Sequence, residues 1–269
     1  MNVRSRTGCL AFMLGLVLMG GAVPAHAQDT THTTAPDTLP ALDGSVIEPA
    51  TLVYETTIEA QGQRASATVR RTIAAATYDG QAVWRIVDQN QSGMGAGADS
   101  FWVDRGTLAP MRRSMSGQGR LRVAYTDSTV TGTFQARGRS VSIDAALDGP
   151  ILGDGPALEI ALAALPLTDG YSTTFRIFNP VQQSTRTMQL IVTGTRTVQV
   201  PGGTYKTYVA ELGPVDADQG GETLFLKQTA PHHVVRGESA LPPQMGSGSA
   251  VRVLRSMDVG PPSNTSGGQ

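Results

Sequence analysis

Apolar and polar residues alternate with a period of two through most of this chain. Leu52, Tyr54, Thr56 and Ile58 share one face of a strand. Val83, Arg85 and Val87 alternate with Trp84, Ile86 and Asp88, and Leu121, Val123 and Tyr125 alternate with Arg122, Ala124 and Thr126. Val130, Gly132 and Phe134 continue the series, followed by Val141 and Ile143. Alternation of this kind marks strands with one face buried. Beyond Leu165 it predicts strands over 171–178, 187–193, 196–200, 204–212, 223–227, 233–238 and 250–257. Turn signals such as Asp79-Gly80, Arg137-Gly138 and Pro201-Gly202-Gly203 fall between them, as hairpins require. The expected fold is all-β and mainly antiparallel: a curved sheet or half-open barrel of twelve or more strands.

One stretch follows a different period. Residues 156–165 are rich in Ala, and Leu158, Ala161, Leu162 and Leu165 recur at i, i+3, i+4 and i+7. Asp154 stands near the start, where a carboxylate favours the helix dipole. The pattern predicts a single short helix packed against the curved sheet. An outer-membrane barrel fits less well, because its strands need about 9–11 residues with an apolar lipid face and aromatic girdles. Aromatic residues make up only 5% of this chain, and it ends in a polar run.

The two ends change the picture of where the protein works. Arg4 and Arg6, the apolar run 10–22 and Ala25-His26-Ala27 form a signal-peptide pattern over residues 1–27. The run is too short for a bilayer anchor, which takes about 20 residues. No transmembrane span is therefore expected after cleavage, and the product is expected in the periplasm or outside a bacterial cell. Residues 28–46, Thr- and Pro-rich, are predicted to be a flexible tether, 47–258 a single β-rich domain and 259–269 a disordered tail. The only cysteine, Cys9, lies within the leader. The mature chain then has no thiol nucleophile, no disulfide and no thiolate metal ligand.

Charge and motifs narrow the chemistry further. The formal net charge of −1 gives no basic footprint for nucleic acid. His232 and His233 are adjacent, so on a strand they would face opposite ways, with Glu238 within reach of one of them. There is no Gly-x-Ser-x-Gly elbow and no His-x-x-x-His pair. The glycine run at 93–97 lacks a βαβ context and reads as a turn, and Asp216-Ala217-Asp218 reads as an acidic hairpin tip. No cofactor or metal is expected, and Asp99 and Asp104 are the carboxylates left for any acid–base role. Seven arginines (105, 112, 113, 120, 122, 137 and 139) face a single acid, Asp127, across 105–139. Such a basic face attracts anionic lipid or an acidic partner.

The phrase Phe101-Trp102-Val103-Asp104-Arg105-Gly106-Thr107-Leu108-Ala109-Pro110-Met111-Arg112 resembles one found in exported bacterial proteins of the lipoprotein-carrier (LolA/LolB-like) superfamily. It is also similar to an uncharacterised exported family classed as a domain of unknown function. Val198-Gln199-Val200-Pro201-Gly202-Gly203-Thr204-Tyr205 resembles a Val-Pro-Ala-Gly-Thr-aromatic hairpin of that same family, with Gly202 in the place of Ala. The carrier resemblance implies a sheet wrapped around helices with acyl chains in an apolar cavity. Candidate ligand contacts chosen by position are Trp84, Trp102, Met111, Met115, Phe134 and Leu162. The sequence thus points to a non-enzymatic envelope protein that binds lipid or another hydrophobic ligand in its concave face. The alternative is an envelope interaction protein that docks a partner protein through exposed strands or an arginine-rich face, with Arg112, Arg113, Arg120 and Arg122 as contacts; a hydrolase ranks third.

Overall fold

The structure, a computed structural model, describes residues 39–92, 95–216, 221–241 and 247–260. The leader, most of the tether, Gly93-Met94, Ala217-Asp218 and nearly all of the tail lie outside the described residues. After a short 3-10 turn at Gly44–Val46, the first half runs β1 (Ala50–Ala60), β2 (Gln63–Tyr78), β3 (Gln81–Ser92), β4 (Gly95–Asp104), β5 (Pro110–Ser116), β6 (Gly119–Tyr125), β7 (Thr129–Ala136) and β8 (Arg139–Ala146). A single helix, α1 (Pro156–Ala163), leads into the second half. This comprises β9 (Ser172–Asn179), β10 (Ser184–Val200), β11 (Gly203–Pro214), β12 (Glu222–Lys227), β13 (Val234–Leu241) and β14 (Gly248–Val259).

Each half is a meander of antiparallel hairpins, and the two meanders join where β1 pairs with β14. One fourteen-stranded sheet results, with β8 and β9 at its edges. Asp79 and Gly80 both adopt positive φ, at 48° and 78°, as do Arg137 and Gly138 at 50° and 75°. That is the tight hairpin geometry whose twist matches the flanking strands. The expected separate strands at 187–193 and 196–200 are one strand, β10. A bulge between Val192 and Gly194 absorbs an extra residue there without ending the pairing with β11. Residues 63–78, whose run Ala74-Ala75-Ala76 blurs the alternation, form the long strand β2.

The halves close around α1. Leu158, Ala161, Leu162 and Leu165 pack against Phe175, Met188, Leu190, Leu212 and Leu224 of the second half. The opposite stripe, Ala157, Ile160, Ala163 and Ala164, packs with Leu52, Trp84, Ile86, Phe101 and Val123 of the first. The predicted stripe is therefore one of two, and every helical residue is buried except Glu159, whose side chain is still mostly covered, at 15% exposure. The helix is shorter than predicted because Leu165 precedes Pro166, and a residue before proline is driven out of helical geometry. Asp154 makes no capping hydrogen bond; Gly155 holds the N-cap position.

The two sheet edges approach each other on the far side. The Gln183 side-chain amide donates to the Ser142 carbonyl at 3.0 Å and accepts from the Asp144 N–H at 3.3 Å. A side-chain amide thus imitates the missing peptide neighbour of β8, which blunts an edge that would otherwise recruit other strands. On the other edge, Leu152 donates to the Arg176 carbonyl at 2.8 Å and bridges Ile177.

Candidate functional site

The outer face of β2–β6 carries the arginine concentration seen in the sequence. Cross-strand register places Arg85, Trp102 and Arg112 side by side on β3, β4 and β5. The next row on the same face runs through Ser100, Ser114 and Arg122, and the third through Arg70, Gln89, Ala98 and Ser116. Arg120 stands on this face as well, across from Gln135. The small residues between them leave room for long side chains to lie along the sheet. The Arg85 and Arg112 guanidinium groups sit 5.5 and 5.3 Å from the Trp102 ring centroid. Tyr78 packs 6.4 Å from the same ring and receives Arg112 at 5.6 Å. Interactions of this kind contribute about 0.5–1 kcal/mol each at an exposed site. Among the described residues, none of Arg70, Arg85, Arg112, Arg120 and Arg122 has a carboxylate partner. The acids that share this side are engaged or distant. Asp104 accepts from the Gly106 and Thr107 N–H groups and the Thr107 hydroxyl, the Thr107 backbone bond chief among the contacts holding its carboxyl below the usual range. Asp144 lies on the edge strand.

Arg113 belongs elsewhere. Because successive strand residues face opposite ways, it turns into the core while Arg112 stays outside. Its Nε and Nη2 donate to Asp99 at 3.0 and 2.7 Å, and its Nη1 donates to Asp154 at 2.6 Å. Burial raises the Asp154 carboxyl despite that arginine. A second buried cluster is centred on α1. Glu159 accepts from Arg71 at 2.7 Å and from Arg252 at 2.6 Å, while Asp88 takes the other edge of Arg71 at 2.7 Å. Tyr54 lies beneath both guanidinium groups. Burial alone would raise the Glu159 carboxyl, but Arg252 and Arg71 outweigh it and hold the group at about 2. These charges occupy inward positions of strands whose alternation the sequence displays, as with Asp88 beside Trp84 and Ile86. The signal for them was an ionisable residue in the buried register.

The other sequence candidates divide between the faces. Trp84 is in the core, its Nε1 donating to the Gly44 carbonyl at 3.4 Å. Leu162 is fully buried against the second half. Met115 and Phe134 are half-buried and pack on the same core as Trp84. Met111 is half-buried at the bulge where β5 leaves the register of β4. Trp102 alone of the six lies in the arginine row. Arg120 and Arg122 are exposed, as expected. His232 and His233 precede β13 and are both buried, so strand alternation does not separate them. Burial, with Lys227 and Arg71 adding, drives His233 down to about 3, which keeps it neutral. Glu238 pairs with Arg236. Asp99, committed to Arg113, is not a free carboxylate.

No curated protein matches this sequence. Two solved structures resemble it: a Bacteroides fragilis protein with a YmcC-like fold and a DUF1329-family protein of Desulfovibrio piger. The first is 12% identical over 81% of this chain and 97% of its own, with a TM-score of 0.31. The second is 10% identical over 79% and 85%, with a TM-score of 0.29. Residues 52–238, spanning the sheet from β1 to β13 together with α1, match the model of a family described as a protein of unknown function, and the chain belongs to that family, DUF3108.

Proposed function

We propose that this is a non-catalytic protein of the bacterial envelope that rests against anionic lipid through the outer face of β2–β6. The observation that supports this reading is the row Arg85–Trp102–Arg112, flanked by Arg70, Arg120 and Arg122 without carboxylate partners among the described residues. Guanidinium groups match phosphate oxygens with paired N–H donors. Indole and phenol rings suit the boundary between headgroups and acyl chains, since each has an apolar body and a polar tip. An acyl chain in the concave face would have to displace α1, whose two stripes occupy the space between the halves. The leader-like N-terminus would deliver the protein to the compartment where such a surface exists.

Sedimentation with vesicles tests the reading. Full-length protein is expected to pellet with phosphatidylglycerol-containing vesicles, to ignore pure phosphatidylcholine, and to be released by salt. A basic residue near an anionic surface contributes about 1 kcal/mol, so the triple variant Arg85→Gln/Arg112→Gln/Arg122→Gln should bind roughly two orders of magnitude more weakly. Equal binding to both vesicle types, or a triple variant that pellets like the parent, defeats the proposal.

A further inference from the structure

Between β8 and α1, residues 147–152 form a strap that lies against β9. Leu147 donates to the Ser128 carbonyl at one end, and Leu152 to the Arg176 carbonyl at the other, both at 2.8 Å. Phe175 and Ile177 of β9 pack in the cluster around α1, so strand alternation turns Arg176 to the opposite side, beneath the strap. There it is only 7% exposed. Its Nη1 donates to the Asp148 carbonyl at 2.7 Å, while Nε and Nη2, both buried, meet no acceptor. Asp148 itself is exposed, and no carboxylate pairs with Arg176 among the described residues. Gly149, at φ 127°, lies across Nη2 instead, and a Cβ on it would overlap that nitrogen.

The other two buried arginines show what this edge of a guanidinium accepts in the same protein. Arg71 presents Nε and Nη2 to Asp88 at 2.7 Å each, and Arg113 presents the same pair to Asp99 at 3.0 and 2.7 Å. The fork matches the two oxygens of a carboxylate. A buried cation without a counter-charge is costly, and that cost calls for a function. We infer that Arg176 is the receptor for a short-chain monocarboxylate, and that the strap closes over it with Gly149 where the carboxylate binds. Leu147, Ile151 and Phe178 belong to one buried apolar cluster beside it, so the ligand's substituent is apolar and short. Drawing the strap back gives up two hydrogen bonds, from Arg176 Nη1 to Asp148 and from Leu152 to Arg176, and the carboxylate replaces them with two charge-assisted ones. The site is separate from the Arg85–Trp102–Arg112 row and stands whether or not that row binds vesicles.

Side-chain NMR on the full-length protein tests the assignment, with sodium propionate as probe and sodium chloride at equal ionic strength as control. The Arg176 Nε–H signal, assigned by through-bond correlation to its own backbone, should move saturably with propionate and stay in place with chloride. Thermal unfolding gives a second readout, because a ligand that binds only the folded state stabilises it. Propionate should raise the parent's midpoint more than that of Arg176→Met. A general effect of the salt moves both proteins alike, so the difference between them reports binding. Without propionate, Arg176→Met should melt no lower than the parent, since methionine removes an uncompensated charge and keeps apolar bulk. An Nε–H signal indifferent to propionate overturns the receptor, as does an equal midpoint shift in the two proteins. Movement with inorganic phosphate but not with propionate overturns the carboxylate class. A variant that melts well below the parent, beside an unresponsive Nε–H signal, would leave Arg176 with the fastening of the strap alone. A propionate response in a parent that ignores vesicles upholds the site and removes only the lipid-docking reading.

Discussion

Glu159→Ala is expected to lower the unfolding free energy by about 3 kcal/mol. Removing one partner of a buried ion pair costs about 3–5 kcal/mol, because the remaining charge is left uncompensated. Here the lower end applies, since Arg71 keeps Asp88 at 2.7 Å and Arg252 keeps Glu222 at 3.7 Å. Independently, a carboxyl held at about 2 instead of 4.5 in the folded state corresponds to roughly 3 kcal/mol at neutral pH. The sign follows from the depressed value. The contribution is complete above the unfolded carboxyl's pKa and is lost as pH falls through about 2. Asp154 and Glu222, whose carboxyls burial raises, act in the opposite sense and shed stability as they ionise with rising pH. The difference between parent and Glu159→Gln therefore isolates the acid limb that belongs to this one group. Urea denaturation from pH 7 to pH 2 measures it. A constant difference between the two proteins across that range would show that Glu159 does not hold α1 through its charge.

The second large effect concerns Leu162, which the sequence offered as a ligand contact. The structure places it fully buried between α1 and the second half of the sheet, with Phe175, Leu190 and Leu224 in the same cluster. Leu162→Ala should cost about 2–5 kcal/mol, the range for truncating a buried leucine. The upper half of that range is expected. The helical neighbours Ala161 and Ala163 are too small to fill the void, and sheet encloses the helix on both flanks. A truncation that merely widened a lipid pocket would instead change ligand affinity and leave stability nearly intact. Equilibrium denaturation and vesicle sedimentation on the same variant separate the cases. Loss of vesicle binding with an unchanged unfolding midpoint would return Leu162 to a binding surface.

The mean direction of side chains was legible wherever the alternation was clean. Trp84 and Trp102 fall on opposite faces because they lie on paired strands whose inward residues are Trp84 and Ile86 on one and Phe101 and Val103 on the other. Arg120 and Arg122 flank the apolar Leu121, and both prove to be exposed. Arg112 and Arg113, adjacent in a period-two strand, could not both face outward, and Arg113 is the inward one. The single helix was readable from its 3.6-residue spacing, yet only one of its two buried stripes was evident. Ala157, Ala163 and Ala164 carry too little apolar weight to announce a face, although each is nearly inaccessible.

By itself, then, the amino-acid order determined the strand-rich class, the hairpin turns, the position of α1 and the basic character of one stretch. Those features depend on neighbours a few residues apart, where backbone sterics and side-chain periodicity act directly. Tertiary structure decided the β1–β14 seam, the wrapping of both halves around α1 and the ion cluster that joins Glu159 to Arg71 and Arg252. The partners in that cluster are 88 and 93 residues from Glu159 along the chain. Local preference carries no information about which distant guanidinium will meet a buried carboxylate; only the closing of the sheet around its helix brings them within hydrogen-bond distance.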